Sequence, residues 1–377
     1  CLGFLIKLAN KKKKIKISTD KYLQIFRGKS VLVTGHTGFK GAWLSAWLKE
    51  LEAQVAGIAL DPPTKPSHFL AAQLDHCIKD LRIDLRDRKA VQSAIQDFQP
   101  DFLFHLAAQS LVRQSYLDPV STYAINVMGT LHVLEALREL KRPCVVVLIT
   151  SDKCYDNVEW IWGYRETDRL GGPDPYSASK GAAELVIRSY IRSFFPREGN
   201  IRIGIGRAGN VIGGGDWAED RIVPDCVKAW SKGKKVTLRN PHATRPWQHV
   251  LEPLSGYINL AMNLSLENQL HGEPFNFGPP ADQNHSVGSL VTQMSQHWDR
   301  ARWQDVSEKE DVPYESGLLK LNCDKALHHL SWRAIWNFER TVQETVEWYV
   351  DHKDWLDDLR RGGGTIAVRG QSGECFG

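Results

Sequence analysis

The sequence contains no paired-cysteine motif and no long apolar run, and both absences narrow the possible classes of protein. Its seven cysteines are an odd number and include no Cys-x-x-Cys pair. A disulfide framework is therefore not expected, and reduced, cytosolic thiols fit the pattern best. No stretch approaches the ~20 consecutive apolar residues that a membrane helix needs. We expect a cytoplasmic protein without a membrane partner.

Metal-site spacing and nucleic-acid signatures are also missing. No cluster of His, Cys, Asp and Glu has the spacing of metal ligands, so no metal is expected. The formal net charge of +4 comes from the first thirty residues, which hold nine Lys or Arg and one acidic residue. The remainder is mildly acidic and has no basic face interleaved with aromatic residues, so no nucleic-acid partner is expected.

The chain does contain enough apolar residues for a large core: of its 377 residues, 42% are hydrophobic and 24% charged. Strand-like apolar runs at 31–34, 55–60, 102–106 and 144–150 alternate with helical patterns through the first half. This alternation predicts an α/β fold in which helices cover both faces of a parallel sheet.

A glycine-rich motif follows the first apolar run, since residues 34–41 read Thr-Gly-His-Thr-Gly-Phe-Lys-Gly. A strand that runs into a tight turn and a helix directs backbone N–H groups and the positive helix end at a dinucleotide pyrophosphate. Gly35, Gly38 and Gly41 would form that turn, although their spacing differs from the commoner Gly-x-Gly-x-x-Gly. For the glycines alone, an ordinary βα turn is the alternative. Apolar residues at helical spacing downstream favour the dinucleotide site.

An acidic residue, Asp61, ends the second predicted strand, twenty-six positions after Gly35. Its carboxylate can accept hydrogen bonds from the adenosine ribose and would repel the 2′-phosphate of NADP. The predicted cofactor is therefore NAD. The alternative is a turn-forming Asp ahead of two prolines. After the next short strand, Asp84 and Leu85 are candidates to border the adenine.

The alternation of strands and helices fades after position 207, where Gly, Pro and Arg become more frequent. We predict helices at 222–232 and 251–266 and a strand at 275–277 in this part. The predicted organisation is a disordered basic segment at 1–28, a Rossmann-type, doubly wound NAD-binding domain at 29–206 with returning segments near 245–280, a smaller C-terminal α/β substrate-binding lobe at 207–244 and 281–357, and a flexible tail at 358–377.

A Tyr-x-x-x-Lys pair occurs at Tyr176 and Lys180, in a segment at 176–195 whose composition favours helix. Both side chains should leave the same helix face. A tyrosine with a pKa near ~10 is a poor base at neutral pH unless a cation stabilises its phenolate, and Lys180 could be that cation. The lysine could also hold a hydroxyl of the nicotinamide ribose. Taken alone, such a pair is commonly a surface helix pair.

Three polar residues, Ser151, Asp152 and Lys153, follow the predicted strand at 144–150. They should emerge at the carboxyl edge of the sheet, where open α/β sheets bind their ligands. A hydroxyl, a carboxylic acid and an amine offer a hydrogen-bond donor, a proton donor and a candidate base. Without the glycine loop and Tyr176, a strand-end turn with an Asp–Lys surface pair would be the better interpretation.

Together, these motifs resemble those of the extended short-chain dehydrogenase/reductase superfamily, and within it the CDP-glucose 4,6-dehydratases. The resemblance covers nearly the whole chain apart from its ends, and its most specific parts lie at 34–41, 60–63, 150–157, 209–217 and 245–253. Related enzymes acting on dTDP-glucose have Thr-Asp-Glu where this chain has Ser151, Asp152 and Lys153. The lysine matches the CDP-glucose branch.

The resemblance implies an internal redox cycle. Tyr176, as phenolate, would remove the C4 hydroxyl proton while C4 hydride passes to NAD, and Ser151 would hold the C4 oxygen. Lys153 would then abstract the C5 proton while Asp152 donates a proton to the departing C6 hydroxyl. Hydride returns to C6, giving CDP-4-keto-6-deoxyglucose. Lys180 would lower the pKa of Tyr176.

The resemblance also implies binding residues and a homodimer. The homodimer would pack the helices at 119–140 and 176–195 of each subunit into a four-helix bundle. The two phosphates of CDP would bind Asn210, Arg221 and Arg245, since forked Arg donors suit phosphate, although such Arg residues are often only solvated. The NAD-binding residues would be Gly35, Gly38, Phe39, Lys40, Gly41, Asp61, Asp84, Leu85, Ala107, Asn126, Tyr176 and Lys180.

Alternatives stay open at this point. A nucleotide-sugar 4-epimerase, or another nucleotide-sugar 4,6-dehydratase, would share Tyr176, Lys180 and the glycine loop. An epimerase needs no acid–base pair at Asp152 and Lys153. A catalytically silent NAD-binding sensor is the non-enzyme alternative, but it need not retain both Tyr176 and Lys180.

Overall fold

The computed structural model describes residues 21–22, 24–306 and 318–352. The predicted tail at 358–377 and most of the predicted segment at 1–28 lie outside the described residues. Within 1–28, Phe26 is fully buried, and its ring packs 4.7 Å from that of Phe102. The folded part of the chain therefore begins before residue 29.

Strands and helices alternate through the first part of the chain, as the apolar pattern predicts. They are β1 (Ser30–Thr34), α1 (Phe39–Glu50), β2 (Gln54–Ala59), α2 (His68–Ala71), α3 (Leu74–Cys77), β3 (Lys79–Arg82), α4 (Arg88–Phe98), β4 (Phe102–His105), α5 (Val112–Leu117), α6 (Pro119–Tyr123), a π-helical turn (Ala124–Gly129), α7 (Thr130–Arg138), β5 (Cys144–Ile149), a 3₁₀ turn (Asp152–Cys154), α8 (Pro175–Phe194) and β6 (Ile201–Ala208).

Shorter strands follow in the later part. The elements there are β7 (Val211–Ile212), α9 (Ile222–Ser231), β8 (Val236–Leu238), β9 (Thr244–Arg245), β10 (Gln248–His249), α10 (Leu251–Leu266), β11 (Pro274–Phe277), β12 (His285–Ser286), α11 (Val287–Ser295), β13 (Trp303–Asp305), α12 (Asp324–Leu330) and α13 (Phe338–Asp351). The predicted helices at 222–232 and 251–266 and the strand at 275–277 agree with α9, α10 and β11 to within one residue.

Seven of the described strands form one parallel sheet in the order β11-β6-β5-β4-β1-β2-β3. Strand β1 pairs with β2 on one side and with β4 on the other. Successive strands are thus added on one side of β1 up to β3 and on its other side from β4 onward. Open α/β sheets bind ligands at the carboxyl ends of strands beside such a reversal of strand order. The predicted Rossmann-type, doubly wound α/β fold is confirmed.

The central strands of this sheet are apolar on both faces because helices cover both. In β1, Leu32 lies in the hydrophobic cluster of one face, with Leu103 and Val146. Its neighbours Val31 and Val33 lie in the cluster of the other face. This two-sided burial explains why the strands read as continuous apolar runs instead of alternating ones.

The later part of the chain contributes one edge strand to the main sheet and three small pairings. Strand β11 pairs with β6, while β7 pairs with β10, β9 with β12 and β8 with β13. None of the described helices is long and apolar enough to cross a membrane.

Candidate functional site

The loop between β1 and α1 has the conformation that its glycines predict. Gly35 has a φ of +77°, a left-handed conformation that favours glycine. Gly38 is the N-cap of α1 and forms no side-chain cap. A Cβ on Gly41 would lie 2.0 Å from the carbonyl oxygen of Gly35, so only glycine allows helix and loop to approach so closely. Gly41 lies inside α1 and not in the turn itself. Such an uncapped helix N-terminus behind a glycine loop suits a pyrophosphate.

Two other predicted cofactor residues pack around this loop. The backbone N–H of Ala107 donates to Thr34 Oγ1 at 3.2 Å, and a Cβ on Gly35 would lie 2.8 Å from Ala107 Cα. The half-buried Phe39 begins α1, with its ring tip 3.3 Å from the Cβ position of Gly213. Ala107 at the end of β4 and the glycine loop at the end of β1 therefore meet at the point where the sheet order reverses.

The predicted adenosine side is more open. Asp61 lies two residues beyond β2, its side chain is 92% exposed, and its carboxylate is 3.8 Å from Arg82 Nε. Asp84 accepts a 2.6 Å hydrogen bond from Arg86 Nη2. Leu85 is buried and its Cβ lies 3.0 Å from the Cβ position of Gly129. Leu85 thus packs inside the fold, whereas Asp61 reaches solvent.

The predicted catalytic residues Ser151, Asp152 and Tyr176 lie close together. Ser151 Oγ donates to Asp152 Oδ1 at 2.9 Å and accepts the backbone N–H of Lys153 at 3.2 Å. The Ser151 side chain also lies near enough to Tyr176 to act on the pKa of its phenol. Asp152 is 2% exposed, and its second carboxylate oxygen, Oδ2, has no hydrogen-bond partner among the described residues. A buried carboxyl group and a phenol thus lie beside one serine.

Burial shifts the pKa values of these groups. Burial raises the pKa of Asp152, although the neighbouring Lys153 charge and the Ser151 hydrogen bond oppose the rise. Burial likewise raises the pKa of Tyr176 to about 12, against the effects of the Ser151 side chain and the Arg221 charge. Burial thus favours the protonated form of both groups.

The predicted effect of Lys180 on the pKa of Tyr176 stays a prediction, and a second cation lies near the phenol. The charge of Arg221 acts to lower the pKa of Tyr176. Burial lowers the pKa of Lys180 itself to about 8, and its charge interacts with Cys154 and Glu184. Helical spacing does bring Tyr176 and Lys180 to one buried face of α8, but it does not determine which cation acts most strongly on the phenol.

Lys40 and Lys153 approach Asp152 from different elements. Burial lowers the pKa of Lys40, in the first turn of α1, to about 8, and the charge of Asp152 opposes this shift. Lys153 is half-buried and lines a small cavity with Tyr155, Ser177 and neighbouring residues. The predicted cofactor lysine and the predicted base thus both lie near the buried carboxyl group.

Asn126 lies in the π-helical turn that interrupts the helix predicted at 119–140. Its amide nitrogen donates to Ser179 Oγ at 2.9 Å, and its carbonyl oxygen accepts the backbone N–H of Gln109 at 2.9 Å. Asn126 therefore ties the segment after β4 to α8, beside Lys180.

The three predicted phosphate-binding residues do not lie in equivalent surroundings. Arg221 Nη1 donates to Asp216 Oδ2 at 3.0 Å, and its charge acts on Tyr176. Asn210 follows Gly209, whose Cβ position is 3.1 Å from Asp152 Oδ2. Arg245 lies in β9 and donates to the Thr244 carbonyl at 2.8 Å. Arg221 thus lies near Tyr176, and Asn210 follows a residue that contacts Asp152. Arg245 pairs with β12 and precedes Pro246, whose Cγ lies 3.6 Å from the same Cβ position of Gly209.

Comparisons with known proteins now bear on this site. The model of the GDP-mannose 4,6 dehydratase family matches residues 32–345. The chain belongs to this family. It is 48% identical over 336 residues to the CDP-glucose 4,6-dehydratase of Salmonella typhimurium, covering 88% of this chain and 92% of that protein. A probable dTDP-glucose 4,6-dehydratase of Sinorhizobium fredii is 24% identical, with 88% and 95% covered.

Solved structures of related dehydratases and epimerases share the fold of this GDP-mannose 4,6 dehydratase family member. The dTDP-glucose 4,6-dehydratase of Bacillus anthracis, in complex with NAD, superposes with a TM-score of 0.72 at 20% identity, covering 88% of this chain and 100% of that one. The UDP-glucose 4-epimerase of Thermotoga maritima, with UDP-glucose, gives 0.72 at 20% identity, covering 86% and 99%. The predicted family resemblance is confirmed.

Sequence reasoning missed a group of buried polar residues behind the 3₁₀ turn Asp152–Cys154 of this dehydratase-family chain. Glu184 and Arg207 form an ion pair there, and Thr150 and Tyr155 hydrogen-bond it. One signal was available, because Glu184 follows Lys180 by four positions on the same helix face.

Proposed function

We propose that this protein is an NAD-dependent CDP-glucose 4,6-dehydratase, a hydro-lyase that converts CDP-glucose to CDP-4-keto-6-deoxyglucose. The observation that carries the reaction type is the buried carboxyl group of Asp152, which is hydrogen-bonded to Ser151 and lies beside Tyr176. A carboxyl group with a raised pKa can donate its proton to a leaving hydroxyl. The substrate is proposed from the 48% identity to the Salmonella enzyme.

The glycine loop fits NAD. Gly35 adopts a positive φ, and the missing Cβ of Gly41 leaves the loop against the first turn of α1, as a backbone cradle for pyrophosphate requires. The exposed carboxylate of Asp61 is available to the adenosine ribose and disfavours a 2′-phosphate. Asn126 and Lys180 would orient the nicotinamide end. NAD bound there would supply the reversible hydride transfer that the reaction needs at C4 and C6 of the sugar.

The residues of the chain supply the proton transfers. Tyr176 would take the proton of the C4 hydroxyl, and Ser151 would hold the resulting C4 oxygen. Asp152 would donate its proton to the C6 hydroxyl while Lys153 takes the proton of C5, so that one water is lost between C5 and C6. Asp152 Oδ2 is buried and has no partner among the described residues, which supports its assignment as the proton donor.

The phosphates of the substrate would bind beside these groups. Arg221 is proposed to bind the diphosphate with Asn210, because both lie near the catalytic residues. The guanidinium fork suits phosphate oxygens, and Asp216 orients it. Arg245 is proposed to bind the same diphosphate from β9.

We also propose a homodimer formed by the helices at 119–140 and 176–195. Large apolar side chains on these helices and on α5 are exposed to solvent: Leu117 at 79%, Val120 at 78%, Met128 at 45% and Leu185 at 56%. Several large exposed apolar side chains on helices that pack against one another are typical of a protein interface. A monomeric mass in sedimentation at working concentration would count against the homodimer.

The five described cysteines are free thiols, which supports the proposed cytoplasmic location.

The proposed reaction is tested by incubating the protein and NAD separately with CDP-glucose, dTDP-glucose, UDP-glucose and GDP-mannose. The readouts are the alkaline absorbance of a 4-keto-6-deoxysugar and the mass loss of one water. Product from CDP-glucose alone would support both the reaction and the nucleotide. Water loss from another sugar nucleotide would overturn the substrate, and no water loss from any of them would favour an epimerase or a sensor.

A further inference from the structure

A charged pair is buried directly behind the 3₁₀ turn Asp152–Cys154, which carries the proposed acid. Arg207 of β6 is fully buried and Glu184 of α8 is 3% exposed. Arg207 Nε donates to Glu184 Oε1 at 2.8 Å, and Nη2 donates to Oε2 at 2.9 Å. A buried ion pair often adds less stability than apolar residues of similar size, because both charges lose their hydration. Stability alone is therefore a weak reason for this pair.

The hydrogen bonds of the pair to its neighbours indicate another role. Thr150 Oγ1 donates to Glu184 Oε1 at 2.6 Å, and Arg207 Nη1 donates to the hydroxyl of Tyr155 at 2.8 Å. Thr150 directly precedes Ser151, and Tyr155 directly follows the 3₁₀ turn Asp152–Cys154. The segment that carries Ser151 and Asp152 is thus attached at both of its ends to one ion pair.

The same pair also contacts the helix that carries the catalytic tyrosine. Tyr176, Lys180 and Glu184 are spaced four residues apart on α8, and all three are buried. Glu184 therefore connects the backbone that positions Tyr176 with the strand end that positions Ser151. The distance between the phenol and the carboxyl group depends on this connection.

The remaining donors of Arg207 anchor the pair to its other neighbours. Arg207 Nη1 also donates to the carbonyl oxygen of Glu166 at 3.0 Å. Tyr155 donates in turn to Asn276 Oδ1 at 2.8 Å, and the backbone N–H of Asn276 donates to Glu166 Oε1 at 2.8 Å. A network in which the buried charges are fully hydrogen-bonded is rigid, whereas a partly satisfied one would be costly.

We propose that Glu184 and Arg207 are positioning residues, which hold Ser151 and Asp152 in register with Tyr176 through Thr150 and Tyr155. This assignment rests on the proposed dehydratase function. Activity would then require two residues in addition to the proposed catalytic groups. Glu184 and Arg207 act through Thr150 and Tyr155 and do not touch the reacting atoms.

The double variant Thr150→Val/Tyr155→Phe tests the proposal with little change of volume. It removes both attachments of the turn and keeps the ion pair. We expect kcat for CDP-glucose, measured well below Tm, to fall by about 10²-fold, the loss typical of a small misplacement of catalytic groups, with KM nearly unchanged. Tm should fall modestly, because the retained buried charges lose hydrogen-bond partners. The amides of Cys154 and Tyr155, which donate to the carbonyls of Ser151 and Asp152, should exchange hydrogen faster.

Three further variants separate positioning from general stability. Thr150→Ser keeps the hydroxyl and should retain wild-type kcat. Thr345→Val makes the same atom change in α13, where the hydroxyl bonds only the Thr341 carbonyl among the described residues, and should leave kcat and exchange unchanged. Glu184→Leu combined with Arg207→Met should keep Tm, as such replacements often do, while kcat falls as in the first double variant.

The outcomes are distinguishable from a failure of the proposed function. Unchanged kcat and unchanged exchange in Thr150→Val/Tyr155→Phe would overturn the positioning role, and so would a loss of kcat that disappears at temperatures well below the Tm of the variant. If the wild-type protein does not convert CDP-glucose, the proposed function fails. The exchange rates of Cys154 and Tyr155 would still decide whether the pair holds the turn.

Discussion

The two ends of the proposed cofactor groove differ in how their side chains are held. At the proposed catalytic end, Asp152 and Tyr176 are 2% and 7% exposed, and both lie beside Ser151. At the adenosine end, Asp61 is 92% exposed and its charged neighbour Arg82 is 3.8 Å away. Burial changes the pKa values of Asp152 and Tyr176. The Asp61 side chain, in contrast, extends from the end of β2 into solvent. Substitutions should therefore affect chemistry at one end and only cofactor affinity at the other.

The largest expected effect is that of Tyr176→Phe at the catalytic end. The variant removes the proposed proton acceptor for the C4 hydroxyl, and general acid–base groups typically contribute about 10²–10⁴-fold in rate. We expect kcat for water loss to fall by that factor, with Tm little changed. Tyr190→Phe is the matched control, because Tyr190 lies about four helical turns from Tyr176 on α8. It should keep wild-type kcat. A fully active Tyr176→Phe protein would refute the assignment.

Asp152→Asn should lower the rate of dehydration by about 10²–10³-fold, because the amide cannot donate the proton that the C6 hydroxyl needs. Burial raises the pKa of Asp152, and the proposed acid must be protonated. Wild-type kcat should therefore decline as pH rises through this raised pKa, and the decline should be missing from the variant. The measurement is kcat against pH for both proteins. An identical profile would show that another group is the acid.

Gly41→Ala tests the glycine loop that lies between the two ends. The added Cβ would lie 2.0 Å from the Gly35 carbonyl oxygen, so loop and helix must separate. We expect unfolding to become easier by about 1–3 kcal/mol, as in other overpacked sites, together with weaker NAD binding. Gly278→Ala, whose Cβ would meet Cys323 Sγ at an ordinary 3.5 Å, is the control. Thermal unfolding and NAD titration measure both effects, and equal values for the two variants would contradict the close approach.

Asp61→Ala should weaken NAD binding by about tenfold, the loss expected for roughly one hydrogen bond to a charged group. Discrimination against NADP should also fall, while Tm stays unchanged because the side chain is exposed. Asp299→Ala is closely matched, since Asp299 is also 92% exposed with an Arg neighbour at 3.7 Å. Binding titrations with both cofactors measure the effect. A drop in Tm specific to Asp61→Ala would break the contrast between the two ends.

The smallest expected effect concerns Lys40 and pH. Burial lowers the pKa of Lys40 from its ordinary 10.5 to about 8, so the unfolded chain binds this proton more tightly than the folded one. The unfavourable contribution of buried Lys40 to wild-type stability should therefore diminish as pH rises from 8 to 10.5. Below this window, Lys40→Met should raise Tm of the cofactor-free protein by about 2–4 °C, and the difference should shrink through it. A constant difference would argue against the burial effect.

Local patterns predict much of this molecule. The strands at 31–34 and 144–150 and the helix at 251–266 have continuous apolar runs or helical periodicity, and these signals depend only on neighbours in sequence. The shared face of Tyr176 and Lys180 follows from the same periodicity. The position of Gly35 in a left-handed turn follows from the residue type itself.

Contacts between distant segments are what the sequence could not supply. Thr150, Glu184 and Arg207 meet only because β5 and β6 are adjacent in the sheet and α8 packs behind them. The action of Arg221 on Tyr176 arises in the same way. The π-helical turn at Ala124–Gly129 has no signal in composition, since it is defined by backbone hydrogen bonding.

The position of β11 at the edge of the main sheet affects how the chain can fold during synthesis. Strand β6 is complete at residue 208, but its partner β11 begins at Pro274. Until the intervening residues have been made, β6 exposes an apolar edge that can pair with other chains. A protein truncated before Pro274 should therefore aggregate, even though it would retain the glycine loop and the predicted catalytic residues. Because β11 is synthesised long after β6, the last pairing of the main sheet joins segments that are far apart in the sequence. Such pairings form slowly.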